Sequence, residues 1–325
     1  MQPREFATKL QGAIAFPITP YAQDGSVDLD AVRANASWLP DGGACALTAP
    51  SGTGEMYALT PQECADVARA TVGAVGRRVP VVAGVGFNAA IGADLARQAE
   101  RNGANGILIL PPYYAMPDPD GLLRYYREIA SATRLGVAVY ARDGAMFTPE
   151  TLETLARTVP NFVAFKDGRG DVRLFQRLRV HVNGTLGADR LVWLSGVGDD
   201  FVAPYFAAGA QGFTSSIACF WPEASAELFR LANSGDMDGV RAFHERVIHP
   251  IYELRQLRKG FEVSIMKTCM ELLGHKAGPA RPPLANVPDD VRAKLRTVLA
   301  DIGAPTAASR ADMKVGITTT GNTAQ

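Results

Sequence analysis

The chain has 325 residues, of which 47% are hydrophobic, and its 33 basic and 33 acidic residues give a formal net charge of zero. A chain of this size buries a large core, and one (β/α) barrel commonly takes about 250 residues. Because the sequence has no long basic run, it argues against nucleic acid or an anionic membrane surface as a partner and favours a small molecule.

The compartment follows from two further patterns. The first sixteen residues, MQPREFATKLQGAIAF, lack the apolar stretch of a signal peptide, and no apolar run approaches the ~20 residues that span a bilayer. The cysteines are scattered without metal-type or redox-type spacing, at Cys45, Cys64, Cys219 and Cys269. We therefore expect a cytoplasmic protein with reduced cysteines, no membrane segment and no metal site.

Eight short apolar segments are predicted to be β-strands. They are Gly12–Ile18, Ala44–Ala49, Val79–Gly84, Gly106–Leu110, Gly136–Tyr140, Phe162–Lys166, Leu191–Ser195 and Gln211–Ser215. Continuous apolar strands that alternate with helices are typical of a parallel sheet. Eight such units without a dinucleotide-binding fingerprint favour the α/β class and a closed (β/α)8 TIM barrel.

Helical patterns fill the intervals between these strands. They cover Asp28–Trp38, Pro61–Val75, Ala89–Asn102, Gly121–Thr133, Pro149–Thr158, Val172–Val182 and Asp199–Ala208. Thr60-Pro61 and Thr148-Pro149 each place a capping hydroxyl before a proline that suits the first helical turn. Asp199 is interpreted as the N-cap of the last of these helices.

More helix follows the eighth strand than a bare barrel needs. Helical patterns run from about Pro222 to Leu273 and from Pro288 to Asp301, and the Pro/Gly-rich segment Gly274–Leu284 is interpreted as a rigid link between them. The predicted divisions are a barrel over 1–221, a C-terminal helical region over 222–303 and a polar, peripheral or flexible tail over 304–325. We expect the helical region to cover the barrel side or to make subunit contacts.

Polar groups collect where the predicted strands end, which is where a (β/α) barrel carries its active site. The second strand runs into Pro50-Ser51-Gly52-Thr53-Gly54-Glu55, where small residues let backbone N–H groups approach an anion and Thr53 adds a hydroxyl. This pattern predicts a carboxylate site, with an ordinary tight turn as the alternative. Further candidates for substrate binding at strand ends are Ser51, Arg142, Gly196, Ser215 and Ser216.

Lys166 ends the apolar run FVAFK. A buried ammonium is costly, so such a lysine either extends to solvent or takes part in chemistry. Desolvation lowers the pKa of a lysine and frees its amine as a nucleophile, which is what a Schiff-base enzyme needs.

Tyr140 ends the preceding strand, GVAVY. A phenol beside an ammonium ionises more easily and can relay protons, although a core tyrosine with a hydrogen-bonded hydroxyl is the alternative. Because Tyr140 and Lys166 end adjacent predicted strands, we expect both side chains to point into one cavity. We therefore predict that these two residues are catalytic.

The residues of these strand ends resemble those of the dihydrodipicolinate synthase / N-acetylneuraminate lyase superfamily over roughly residues 12–284. The resemblance rests on GTGE, PPYY, Tyr140 and FKDGRGD. It implies a (β/α)8 barrel with a C-terminal helical region, usually a homotetramer. It also implies a Schiff base between Lys166 and a 2-oxo acid, proton relay by Tyr140, and carboxylate binding by Gly52 and Thr53.

Within this superfamily the chain resembles the 5-dehydro-4-deoxyglucarate dehydratases, at GTGEMYALTP, VYARD, FKDGRGD, Ser215-Ser216, RKGFEVSIMK and AGPARPPL. The implied reaction converts 5-dehydro-4-deoxy-D-glucarate to 2,5-dioxopentanoate, water and carbon dioxide without a cofactor, in D-glucarate and galactarate catabolism. Arg142, Ser215 and Ser216 are candidates for the distal end of this sugar acid. The chain departs from these dehydratases at Ala141, where asparagine is usual, and at Pro50-Ser51.

Two alternatives remain open at this point. The first is a pyruvate-dependent Schiff-base lyase such as dihydrodipicolinate synthase, although Arg142 is at a different offset from the carboxylate-binding arginine of the synthase. The position of Tyr114 matches a tyrosine that relays protons across a subunit contact in the synthase, and its role here is undecided. The second alternative is a barrel that binds a ligand without catalysis.

Overall fold

The computed structural model describes residues 1–310, so the part of the predicted tail over 311–325 lies outside the described residues. Eight parallel strands close into a barrel in chain order, with the first strand paired to both the second and the eighth. They are β1 Ala13–Ala15, β2 Ala46–Thr48, β3 Val81–Val85, β4 Gly106–Ile109, β5 Gly136–Ala141, β6 Phe162–Asp167, β7 Val192–Ser195 and β8 Gly212–Ser215. The predicted TIM barrel is confirmed, and each observed strand overlaps its predicted segment.

Helices surround the barrel. They are α1 Pro3–Thr8, α2 Leu29–Ser37, α3 Pro61–Val75, α4 Ala89–Arg101, α5 Pro119–Ser131, α6 Pro149–Thr158, α7 Val172–Leu186 and α8 Val202–Ala207. Thr60 caps α3 in a capping box with Glu63, and the Thr148 hydroxyl accepts from the Thr151 N–H at the start of α6. These N-terminal caps explain why α3 and α6 begin where the sequence predicts.

The short helix α1 was not predicted, and it closes the N-terminal end of the barrel. Its Phe6 is fully buried against Gly106 and Gly136, the first residues of β4 and β5. A Cβ atom on either glycine would lie within 2.4 Å of the Phe6 ring, so the ring fits only because these side chains are absent. Leu10 follows α1 and lines the barrel interior beside Ile14.

The C-terminal region is a set of separate helices. They are α9 Pro222–Ser234, α10 Met237–Phe243, α11 His249–Gln256, α12 Phe261–Leu272 and α13 Asp289–Asp301. Gly235 and Gly260 interrupt the pattern with φ of 76° and 96°, and a π-helical stretch over His244–Ile248 continues α10 into α11. The helical pattern expected from about Pro222 to Leu273 is confirmed as helix but divided: the left-handed Gly235 ends α9, and the left-handed Gly260 precedes α12.

The connector over 274–284 lies across the loops that follow β1 and β2. The Tyr21 N–H donates to the Ala277 carbonyl at 3.1 Å, and the Arg281 N–H donates to Glu55 Oε2 at 2.9 Å. Further on, the Arg310 guanidinium pairs with Glu223 on α9. The start of the predicted tail thus packs on the helical region. Among residues 1–310, no helix combines the length and apolar character needed to span a membrane.

Candidate active site

Lys166 lies at the carboxyl end of β6, with its side chain buried inside the barrel mouth. Its Nζ is 3.7 Å from the centroid of the Tyr140 ring and 4.3 Å from that of Phe16, and Lys166 and Tyr140 are register partners on adjacent strands. Burial lowers the pKa of Lys166 well below its ordinary value, and the positive charge of Arg142 lowers it further. The structure therefore brings Lys166 and Tyr140 together as predicted and favours a neutral, nucleophilic amine.

The Tyr140 hydroxyl accepts a hydrogen bond from Arg142 Nη1 at 3.1 Å. Burial raises the pKa of Tyr140, and the Arg142 charge offsets this rise only in part. The expectation that Tyr140 ionises more easily than a free phenol is therefore wrong, because desolvation of the phenolate outweighs its positive neighbour. Tyr140 is protonated at neutral pH and is equipped to donate a proton first.

Two glycines make room for this pair. A Cβ atom at Gly196, just beyond β7, would lie 2.5 Å from Lys166 Cε, and one at Gly168 would lie 2.5 Å from the Tyr140 ring. The Gly196 N–H donates to the Asp167 carbonyl at 2.6 Å. Gly196, predicted to bind substrate, thus lies against the lysine side chain itself.

The loop after β2 presents Gly52 and Thr53, which are half-buried, whereas Ser51 is buried. The Ser51 hydroxyl has no hydrogen-bond partner within residues 1–310. The loop folds back on itself, because the Glu55 N–H donates to the Gly52 carbonyl at 3.1 Å and the Met56 N–H donates to the Ser51 carbonyl at 3.0 Å. Gly52 has open space where a Cβ would stand, so an anion can approach the backbone there.

Ser215 does not present its hydroxyl to a substrate, which corrects its predicted role. This hydroxyl donates to Asp199 Oδ1, contacts Ser225 Oγ at 2.7 Å and accepts from the Ala218 N–H at 2.9 Å. These contacts use its one donor and both acceptor positions. Ser215 is fully buried and belongs to the packing between β8 and α9.

Asp199 is the centre of a buried network that the sequence did not reveal. Its carboxylate accepts from the Ser216 N–H at 3.2 Å and from the Tyr252 hydroxyl at 2.9 Å. Gly198, and not Asp199, is the residue before the helical turn over 199–201, so the predicted N-cap role is wrong. Ser216 also receives a hydrogen bond from Arg255 Nη1 at 3.2 Å, which places a guanidinium from α11 at the β8 end. Because Arg255 lies on a helix and does not follow a strand, the sequence pattern did not predict it as part of the site.

Ala141, where the dehydratases that the chain resembles usually have asparagine, is the register partner of Asp167. Successive side chains on a strand alternate in direction, so Ala141 lies on the face opposite Tyr140. The substitution of alanine for asparagine at position 141 therefore lies on the outer face of the barrel. The buried Asp167 lies on the same face, and burial raises the pKa of its carboxyl to about 6.

Comparison with known proteins places the chain among relatives of similar length. A family model described as the dihydrodipicolinate synthetase family matches residues 9–302. The chain belongs to this family. A family relative from Bradyrhizobium diazoefficiens, named probable 5-dehydro-4-deoxyglucarate dehydratase, is 35% identical over 302 residues, which are 92% of this chain and 95% of that protein. A relative of the same name from Rhodococcus opacus is 39% identical over 289 residues, 88% of this chain and 93% of that protein.

Solved structures of the family have the same fold. The crystal structure of dihydrodipicolinate synthase from Oceanobacillus iheyensis matches with a TM-score of 0.85 and 26% identity, and the match covers 92% of this chain and 98% of that one. The predicted resemblance to the superfamily and to its dehydratases is confirmed by these relatives.

Proposed function

We propose that the chain is a decarboxylating dehydratase that converts 5-dehydro-4-deoxy-D-glucarate into 2,5-dioxopentanoate, water and carbon dioxide through a Schiff base on Lys166. The observation that carries this proposal is the buried Lys166 amine, 3.7 Å from the Tyr140 ring centroid at the ends of two adjacent strands. The names of relatives that align over most of the chain supply the substrate.

Imine formation begins with the Lys166 amine attacking the substrate ketone. The carbinolamine must lose its hydroxyl as water, and the Tyr140 phenol donates the proton for this step. The resulting phenolate is held by Arg142 Nη1, which lies 3.1 Å from the Tyr140 oxygen. Because burial raises the pKa of Tyr140, its phenolate is a strong base and can take a proton from the methylene beside the iminium carbon.

The same electron sink serves both later bond cleavages. The enamine expels the hydroxyl on the next carbon as water, with a proton returned by Tyr140, and leaves a double bond conjugated with the iminium. The bond to the distal carboxylate then breaks, carbon dioxide leaves, and its electron pair flows through the conjugated system to the iminium nitrogen. Protonation and hydrolysis of the imine release 2,5-dioxopentanoate and the free lysine.

The carboxylate beside the ketone is assigned to the loop after β2. Gly52 and Thr53 are half-buried there, and the Ser51 hydroxyl has no hydrogen-bond partner in residues 1–310. Arg142 and Ser216 are assigned to the distal end, since both lie at strand ends around the same mouth. None of these roles requires a metal ligand, and residues 1–310 contain no cluster of three side chains suited to hold a metal ion.

The test is mass spectrometry after borohydride reduction with 5-dehydro-4-deoxyglucarate. An adduct on Lys166 that has lost water and carbon dioxide supports the dehydratase. An adduct that retains the whole substrate, together with pyruvate release or consumption, supports a pyruvate-dependent lyase, which the fold similarity to dihydrodipicolinate synthase keeps as the second candidate. The Lys166→Ala variant must give no adduct, and a fully active variant would contradict the mechanism.

A further inference from the structure

We propose that the buried ion pair between Glu55 and Lys267 positions the carboxylate loop, defined as residues 51–55, and so sets the affinity for a carboxylate beside the reacting ketone. This inference rests on the proposed function, because it assigns a task to the same loop. Neither residue touches the reacting atoms, so both are positioning residues.

The pair joins the barrel to the C-terminal helical region. Lys267 Nζ on α12 lies 2.6 Å from Glu55 Oε1, and the two side chains are 3% and 0% exposed. The ammonium also donates to the Pro279 carbonyl at 2.7 Å and lies 4.0 Å from the centroid of the Tyr21 ring. The other Glu55 oxygen accepts from the Arg281 N–H at 2.9 Å. Both carboxylate oxygens of Glu55 are thus held by residues far along the chain.

The backbone of Glu55 shows why the pair bears on the loop. Glu55 has φ of 54°, in the left-handed region that a residue with a side chain rarely adopts. In this conformation its N–H closes the turn onto the Gly52 carbonyl at 3.1 Å. The Gly54 carbonyl accepts from Thr19 Oγ1 at 2.6 Å, which anchors the residue just before Glu55. Gly52 and Thr53 therefore directly precede two anchored residues, and the Gly52 carbonyl is itself held by the Glu55 N–H.

A net gain in folding stability does not account for a buried ion pair of this kind. Desolvating two charges costs about as much as their attraction returns, and apolar replacement of a buried pair is often neutral or stabilising, whereas removing one partner is strongly destabilising. A pair that holds a strained residue beside a binding loop has a different consequence, because movement of the Gly52 N–H group by a fraction of an ångström weakens an anion contact.

The experiment compares two ketones by borohydride trapping at Lys166. One is 5-dehydro-4-deoxyglucarate, which carries the carboxylate, and the other is acetone, which does not. The variants are Lys267→Met, Glu55→Gln and the double variant, in which no buried charge is left unpaired. Arg292→Met on α13 is the matched control, since it breaks the half-buried pair with Glu271 on α12, the helix that carries Lys267, without touching the loop.

We expect the double variant to need about tenfold more 5-dehydro-4-deoxyglucarate for half-maximal trapping, with the rate for acetone within about twofold of wild type. The control should leave both values unchanged. A folded double variant with an unchanged half-maximal concentration, or with equal losses for both ketones, would overturn the positioning role. If the wild-type protein forms no adduct at all, the proposed function itself fails, which is a separate outcome.

Discussion

At the scale of single residues, the burial that makes the Lys166 amine a nucleophile also lowers the stability of the fold. Its lowered pKa means that the unfolded chain binds one more proton than the folded chain between the two pKa values, so stability rises with pH across that window. At neutral pH, below the ordinary lysine pKa, the fold therefore carries a penalty for keeping the amine in the barrel.

We accordingly expect Lys166→Met to raise the free energy of unfolding at pH 7 by about 1 kcal/mol or more while abolishing adduct formation. The gain should shrink as the pH approaches 10. Urea denaturation at both pH values measures it, with the exposed Lys9→Met as the control. A variant less stable than wild type at pH 7 would show that the amine is not desolvated.

We expect Arg142 to set the pH range of the proposed reaction. Its charge lowers the pKa of both Lys166 and Tyr140. Removing it in Arg142→Gln should raise the pKa of Lys166, so the acid limb of imine formation should move to higher pH. The pH dependence of borohydride trapping measures this limb, and Arg177→Gln on the exposed side of α7 is the control. An unmoved limb would mean that Arg142 does not act on the lysine.

The sequence predicts the placement of some residues of the site but not of others. Lys166 and Tyr140 follow from the rule that strand ends meet at one edge of a barrel. The contacts of Ser215 and Asp199 do not follow from this rule. The direction of their side chains depends on partners such as Tyr252, which lies on a helix much later in the sequence.

At the scale of elements, β3 supports the loop after β2 through a glycine. A Cβ atom at Gly84 would lie 1.9 Å from the Pro50 carbonyl oxygen, a backbone atom that cannot move without moving the loop. Gly84→Ala should therefore weaken binding of 5-dehydro-4-deoxyglucarate about tenfold or more and lower stability by about 1–3 kcal/mol. Titration of adduct yield checks the first effect, with Gly73→Ala, which has open space, as the control.

Strands and capped helices were predictable because their apolar runs and caps are local signals. The end of α9 at Gly235 carried a signal too, since glycine commonly ends a helix, but the apolar pattern on both sides concealed it. Helix α1 spans six residues, too few for periodicity to reveal, and its place depends wholly on the gaps left by Gly106 and Gly136.

At the scale of the whole molecule, Phe6 links the first helix to the barrel. Phe6→Ala should cost about 3–5 kcal/mol, because it leaves a cavity among rigid strand ends. The folded variant should still form the Lys166 adduct, since Phe6 lies at the opposite end of the barrel. Thermal unfolding measures the loss, and Phe6→Leu should recover part of it. An unchanged unfolding temperature would contradict this role.

The predicted homotetramer stays a prediction, and exposed apolar groups support it. Tyr114 and Met116 on the loop after β4, and Met146 on the loop after β5, are largely exposed. We expect sedimentation to give four times the chain mass of 34.6 kDa. Tyr114→Ser with Met116→Ser should reduce the assembly, and a wild-type monomer would contradict the prediction.

Because the N-terminal end of the barrel is closed, substrate and products must use the same end of the barrel. Within residues 1–310, Phe6 and Leu10 fill the N-terminal end, so we expect the substrate to reach Lys166 from the opposite end of the barrel. In the proposed reaction, water and carbon dioxide leave while the rest of the substrate is still covalently bound to Lys166. The aldehyde product leaves last, and no fresh substrate can enter before it does.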